Sequence, residues 1–416
     1  MRHDARQSGP AAPGEARPTR GEVPPEGGVN RRVVVVGPVH PFRGGIAHFT
    51  TSLANAAAKI HSVEVLSFRR LFPKILYPGG SDQDPSRLPI GLECPAEYAL
   101  DSLDPRTWWA AAMRIAARPP DLVVVPWWTT FLAPSLGWLA RLVRRRGVPV
   151  VFLVHNVLPH ERRLLDRGLA RWALGGGDGY VALGPAEKSR LMDLLPRAKV
   201  VAVCPHPMYR VFAAGRIGRA DARRRLGLPL GEPLLLFFGF VRPYKGVDSL
   251  LDAIKLLHDR GRAPYLLVAG EVWNGEARLL HRIESLGIQG RVRVDNRYIP
   301  NEEVGTYFSA ADAFVAPYTA GTQSGSLKIA LAFSLPAVVT DTIAPPEGFP
   351  EGRGRVVRAG DASALAQAIA EMTVPSGASA AWADSPPGDD GWSDLVATLV
   401  DVADRVRATD RTGMSR

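Results

Sequence analysis

Arg242 and Lys245 sit three residues apart in FFGFVRPYKGVDSLLDAI, directly after an apolar run and just before a helical pattern. An arginine bridges two phosphate oxygens with parallel hydrogen bonds and a lysine brings a compact charge. The pair therefore suits a pyrophosphate and the charge that develops when it leaves. Pro243 and Gly246 restrain the loop, which favours a built site over solvated charge. Two further stretches look like anion-receptive helix starts. In GPVHPFRGGIAHFTT, Gly44 and Gly45 open a helix whose first N–H groups and positive dipole end can receive an anion or a sugar. Alone, such glycines serve equally to turn the chain. In YTAGTQSGSLKIALAFSLP, Thr322, Gln323, Ser324 and Gly325 lead into an apolar helix and set side-chain donors beside unpaired N–H groups. A plain N-cap by Thr322 or Ser324 is compatible with that role. Lys328, one turn beyond Ser324, is placed toward the same anion or toward solvent.

His155 ends an apolar run in LVHNVLPHE, and open α/β sheets present functional side chains at the carboxyl ends of their strands. The cluster His155, Asn156, His160 and Glu161 is polar for such a position, and His155 is the candidate catalytic residue. A zinc site from His155, His160 and Glu161 lacks both the HExxH arrangement and a fourth ligand, so no metal is expected. The glycine loop after the first strand is not GxGxxG and no acidic residue is placed for a ribose, which counts against a nicotinamide enzyme.

Elements that position these residues alternate along the chain. Residues 1–30 are rich in Pro, Gly, Arg and Glu without apolar periodicity and are expected to be a disordered tail. From Arg32, β-branched runs read as strands buried on both faces: RVVVV, VEVLSF, DLVVVPW, PVVFLVHN, GYVALG and KVVAVCP. A second series follows the charged segment ADARRRLGL: PLLLFFG, APYLLVAG, RVRVDN, AFVAPY and PAVVTD. Helical stretches lie between most of them. Two α/β blocks joined near Pro205–Leu228 predict two doubly wound domains, 31–210 and 211–390, with a ligand cleft between them. Residues 391–416 hold a terminal helix and tail, the helix beginning at Trp392 and packing back across both domains.

A chain of 416 residues, 46% hydrophobic, supports more than one core. No apolar run reaches the roughly 18 to 20 residues that cross a bilayer, and the N-terminus lacks a secretory apolar core, so a cytoplasmic chain is expected. Cys94 and Cys204 are too few for a disulfide framework. The net charge of +10 suits an anionic partner: nucleic acid, anionic lipid or a phosphorylated substrate. No zinc knuckle, RNP-like aromatic pattern or basic heptad helix points to nucleic acid. Basic residues alternate with apolar ones in SFRRLFPKILYPG (67–79), and RLVRRRG (141–147) adds a second basic stretch. Both suit a lipid-phosphate acceptor or the inner face of a membrane, or are simply solvated.

Taken in order, GGIAHFT, VVFLVHN, FFGFVRPYKG, LLVAGE, YFSAADAFVAPY and SLPAVVTD resemble the retaining GT-B glycosyltransferases, the bacterial family 4-like group, over Arg32 to about Arg407. The resemblance implies two facing Rossmann-like domains, a nucleotide diphosphate sugar as co-substrate, no metal or other cofactor, and a glycan, lipid-linked or small-molecule acceptor in the first domain. It implies that Gly44 and Gly45 approach the donor phosphates or acceptor. His155 would hydrogen-bond the transferred sugar, Arg242 and Lys245 would hold the diphosphate, and Arg297, Tyr298 and Ile299 would lie near the nucleobase. Two departures stand out. The family's glutamate pair is Gly321 and Ile329 here, and the arginine that usually follows the FxG glycine is Phe240. The TQSG turn reads as a subgroup feature. A catalytically silent binding protein of the same fold is the alternative.

Overall fold

The structure, a computed structural model, describes residues 30–73, 81–88, 90–159, 164–273, 275–345, 348–349, 352–373 and 390–414. The tail expected over 1–30 lies outside them apart from Asn30, as do His160, Glu161 and the Lys74–Gly79 part of the first basic stretch.

The first sheet has seven parallel strands in the order β3-β2-β1-β4-β5-β6-β7. They are β1 (Arg32–Val36), β2 (Ser62–Arg70), β3 (Ala96–Asp101), β4 (Leu122–Trp127), β5 (Val150–Val154), β6 (Gly179–Ala182) and β7 (Val200–Val203). Side chains alternate across a strand. Val33 and Val35 accordingly join one core, with Phe49 and Leu53 of α1 (Gly45–Ala58) and Leu395 and Val402 of α12 (Trp392–Met414). Val34 and Val36 join the other, under α2 (Pro105–Ala117), α3 (Ala133–Arg144) and α4 (Asp166–Leu174). Full burial of each such Val or Leu side chain contributes roughly 1.5–3 kcal/mol, which is why near-continuous apolar runs specify these strands.

A second sheet of six parallel strands has the order β10-β9-β8-β11-β12-β13. Its strands are β8 (Leu234–Phe238), β9 (Tyr265–Ala269), β10 (Val292–Asp295), β11 (Ala313–Ala316), β12 (Ala337–Thr340) and β13 (Gly354–Val357). The remaining helices are α5 (Pro185–Leu194), between β6 and β7, and, from the link to the second sheet onward, α6 (Arg219–Leu226), α7 (Val247–Asp259), α8 (Glu276–Ser285), α9 (Asn301–Ala310), α10 (Gly325–Ala332) and α11 (Ala362–Met372). Both sheets are doubly wound: strand order reverses at β1/β4 and at β8/β11, and the crevices at those points are where such folds bind ligands.

Two strands carry no strong signal in the sequence. β3 is an edge strand that is largely half-exposed, and β13 is an edge strand exposed at its two central residues, so neither has the apolar run of an interior strand. Helix α12 packs against α1 and strands β4 to β7, so its contacts lie on the first domain rather than across both. Trp392, its first residue, sets its ring edge-on to Phe49 of α1 at 4.9 Å.

Candidate active site in the interdomain cleft

The carboxyl ends of β1 and β8 face each other across a cavity of about 290 Å³. From the first domain come Gly44, Gly45 and His48 at the start of α1, and Asn156 after β5. From the second come Gly239 and Phe240 after β8, Lys245, and Gln323 to Ser326 at the start of α10. Gly44 has φ +101°, and a Cβ there would lie 3.8 Å from the Phe240 ring across the cleft. No acidic residue occupies the first turn of α1 or α10. Two helix N-termini from different domains thus present unopposed positive ends to one space.

Lys245 supplies the cavity's cation. Its loop is held by Gly246, at φ +70°, where a Cβ would fall 2.0 Å from the Pro317 carbonyl oxygen. The ammonium lies 5.1 Å from the centre of the Tyr318 ring. Burial works against its charge, but Tyr318 and Tyr244 more than offset that and hold its pKa above the ordinary lysine value. At Gly239, φ +107°, a Cβ would come within 3.2 Å of both Lys245 Nζ and Ser326 Oγ, so the bare backbone there leaves room between them. Ser324 caps α10, accepting from the Leu327 N–H at 3.2 Å, while its hydroxyl donates to Tyr318 at 3.2 Å. Both amide atoms of Gln323 are buried without a hydrogen-bond partner among the described residues. An amide in that state on a cavity wall can donate to and accept from a polar ligand at once.

His155 directly follows β5, and its N–H donates to the Trp127 carbonyl at 2.9 Å. Its ring packs edge-on to Phe49 at 4.5 Å, and His206 does the same on Phe49 at 5.0 Å. Burial, then His206, push the His155 pKa down to about 3; burial, chiefly, and Lys328 push His206 down to about 4. Both rings are therefore neutral near pH 7. The buried Nε2 of His155 has no partner among the described residues.

Of the residues predicted from sequence, Gly44, Gly45, Lys245, Tyr298, Ile299, Gln323, Ser324 and Gly325 line one cavity. The others stand beside it for identifiable reasons. His155 is one residue behind Asn156. Thr322 donates to Asn156 Oδ1 at 3.3 Å, bridging the domains. Arg242 sets its guanidinium 5.2 Å from the Trp273 ring and 5.5 Å from Tyr244. Arg297 bonds to Glu303 and to the Tyr307 hydroxyl, which in turn donates to Asp295 at 2.7 Å. Lys328 is not among the residues lining the cavity, and its charge helps lower the His206 pKa. Sequence reasoning missed the pair that joins the two walls, Arg43 and Glu271, 2.8 Å apart. The available signal was position: Arg43 stands at the end of the loop after β1, beside GG, and Glu271 directly after LLVAG.

The family described as Glycosyl transferases group 1 matches residues 232–373, and that described as Glycosyl transferase 4-like domain matches residues 44–206. Each of the two sheet domains thus matches a glycosyltransferase family. Among GT-B structures, a sucrose-phosphate synthase from Thermosynechococcus elongatus superposes with a TM-score of 0.63 at 18% identity, covering 92% of this chain and 100% of that one. The Anabaena HepE protein, solved with UDP-glucose, gives a TM-score of 0.64 at 15% identity, again over 92% and 100%. At such identities the likeness is one of fold. A D-inositol 3-phosphate glycosyltransferase of Kineococcus radiotolerans is 31% identical over 50% of this chain and 51% of its own length. The chain thus spans about half the length of that curated relative. Gly321 and Ile329 stand at the two positions where the resemblance leads one to expect glutamates. Gly321 has φ +152° and a Cβ there would lie 2.9 Å from Ile343, while Ile329 puts an aliphatic side chain on the cavity wall.

Proposed function

We propose that the chain transfers a sugar from a nucleotide diphosphate sugar to a glycan, lipid-linked or small-molecule acceptor, with retention of anomeric configuration and without a metal. One observation carries this reading: two helix N-termini, Lys245 and a buried amide with no partner among the described residues converge on a single interdomain cavity. That set offers positive potential and donors to a diphosphate, the work that a metal ion does elsewhere. Among the described residues, no three or more His, Cys, Asp or Glu side chains come together in a way that could hold a metal ion. Lys245 would touch the diphosphate directly, and Arg242, held against Trp273, would add field from behind. The nucleobase would lie toward Tyr298 and Ile299, and the acceptor would enter from the first domain.

The cavity's lining carboxylate is Glu271, and Arg43 engages it. A carboxylate nucleophile is therefore not assigned. The acceptor oxygen would bond to the sugar carbon as the bond to the donor phosphate breaks, and the acceptor proton would pass to a phosphate oxygen. A nucleotide-sugar donor implies work in the cytoplasm. Among the described residues no helix is long and apolar enough to cross a membrane.

The test is thermal stabilisation by UDP, GDP, ADP and TDP sugars, repeated on Lys245→Ala and Arg242→Ala. Selective stabilisation, abolished by the first variant and weakened by the second, fits the proposal, as does turnover that survives a chelator. Product anomers read by NMR test retention. The altered glutamate positions favour a second reading, a silent binding protein, and donor binding without turnover across an acceptor panel would establish it.

A further inference from the structure

Helices α2, α3 and α4 form one layer on the first sheet, opposite α1 and α12. Their inner faces carry the core; their outer faces have an unusual composition. Trp109, Trp138 and Trp172, one on each helix, are 58%, 49% and 38% exposed. Leu164 and Leu165 stand exposed at the entry to α4. The three helices hold six arginines: Arg106, Arg114, Arg141, Arg144, Arg167 and Arg171. Their carboxylate is Asp166, which is buried and accepts from the Thr130 hydroxyl. The helices themselves therefore contribute aromatic and basic side chains to the outer surface, where Arg114 pairs with Glu64 and Glu97 and Arg144 with Asp178. By contrast α7 and α8 of the second domain mix Asp or Glu with Lys or Arg along their exposed faces, as solvated helices do.

The arginines continue beyond α3 with Arg145 and Arg146. Arg106, Arg145, Arg146, Arg167 and Arg171 make no ion pair among the described residues. At the base of the layer, Arg144, Arg171, Arg197 and Lys199 surround a cavity of about 580 Å³ in which Asp178 pairs with Arg144 at 2.8 Å. Arg141 stacks on Trp172, 4.3 Å from the ring centre, and donates to the Gly137 carbonyl at 2.9 Å, which fixes the indole in place. Burial first, and then Arg144, lower the Arg141 pKa, with Tyr180 opposing them and Arg145 adding to them.

We infer that the outer face of α2, α3 and α4 is a docking surface for an anionic lipid bilayer. Indole rings have an apolar body and a polar edge and settle at the headgroup level, and arginines around them meet lipid phosphates. Near an anionic surface each basic residue adds about fivefold in affinity. A second copy of the chain is a poorer occupant, because a two-fold contact would set these arginines against themselves. The described part of the first basic stretch, residues 67–73, is bound up in its own domain rather than added to this surface. Arg70 and Arg69 are engaged by Asp101 and Asp104, and Phe68 and Leu71 are buried. The inference stands apart from sugar transfer: the face would bind lipid whether or not the cleft turns over.

The full chain is floated with vesicles of phosphatidylcholine alone and with about 30 mol % phosphatidylglycerol, at about 0.1 M and about 0.5 M salt. Expected is recovery with the anionic vesicles, weakened by salt, and little with phosphatidylcholine. Trp109→Gln with Trp138→Gln lowers partition at least about tenfold, and Arg145→Gln with Arg146→Gln moves the salt midpoint down. Nucleotide-induced thermal shifts stay unchanged in both variants, separating lipid docking from donor binding. Should the tryptophan variant fold poorly, quenching of wild-type indole emission by brominated anionic lipid gives the same answer. Failure to float with anionic vesicles, full binding by the tryptophan variant, absence of quenching, or tryptophan-dependent dimerisation without vesicle binding overturns the inference.

Discussion

Arg43, on the loop after β1, reaches across the cleft to Glu271, on the loop after β9, with Nη2 2.8 Å from the carboxylate. Its guanidinium also lies 5.2 Å from the Tyr298 ring and 5.7 Å from Phe240. A pair this enclosed ties the two domains at the mouth of the site. Removing one partner strands the other charge, so Arg43→Ala is expected to destabilise by about 2–3 kcal/mol, below the ~3–5 of a fully buried pair because Glu271 keeps some water. Arg43→Met with Glu271→Leu should recover part of the loss. Calorimetry on both variants checks this; equal melting of Arg43→Ala and the wild type would show that the clasp holds nothing.

Glycine geometry gives a second expectation. Gly246→Ala places a methyl 2.0 Å from a backbone oxygen at a left-handed φ, and neither partner is a flexible side-chain end. A loss on the order of 3 kcal/mol is expected from strain and clash together. Gly239→Ala meets only the ends of Lys245 and Ser326, which can move. It should cost less stability but blunt the nucleotide response. Urea unfolding and nucleotide titration on the two variants separate these outcomes.

The interior strands were legible because a parallel sheet covered on both faces demands apolar runs, and RVVVV or LLLFF admits little else. The edge strands AEYALD and GRVV were not, since exposure leaves no periodic constraint on them. Helix starts at Gly44 and Ser324 were readable from local chemistry. Which charges reach the cavity was not. Arg242 and Lys245 look equivalent in RPYKG, yet Gly246 turns the chain so that one enters the cavity and the other lies on Trp273. Arg69 and Arg70 look like a basic surface until β2 and β3 pair and set Asp101 beside them. Both outcomes depend on residues distant in sequence.

Acid should weaken the fold through two histidines on one phenylalanine. His155 and His206 have folded pKa values of about 3 and about 4 against 6.5 unfolded. A lowered histidine pKa means the unfolded chain binds the proton first. Stability is therefore full above about pH 6.5 and is lost as pH falls toward 4, on the order of 3 kcal/mol between pH 7 and pH 5 for the pair. Asp84 adds a separate, lower step. Burial opposes its charge, but the His48 and Ser86 hydrogen bonds bring its pKa down to about 2 from 3.8, so its contribution is present above about pH 4 and fades as pH falls through 2. His206→Asn, which can still donate to the Pro207 carbonyl, should flatten the profile between pH 7 and 5 and leave the step below pH 4. Melting temperature against pH decides; a parallel profile in the variant would remove burial of His206 as the cause.

Gln323 sets stability against function at one side chain. Its amide oxygen and nitrogen are both buried and unpartnered among the described residues, on the cavity wall at the start of α10. Such a group costs the empty protein about 1–3 kcal/mol of unmet solvation and returns it when a ligand supplies the missing partners. Gln323→Ala should therefore leave the unliganded chain as stable as the wild type or more so, while donor affinity falls about tenfold or more. Gln323→Glu should lose affinity as well, since a carboxylate would meet the ligand's phosphates with like charge. Melting temperature without ligand and calorimetric titration with the best nucleotide sugar test the two halves together. Lower stability with unchanged affinity would mean that the amide serves the α10 turn rather than the ligand.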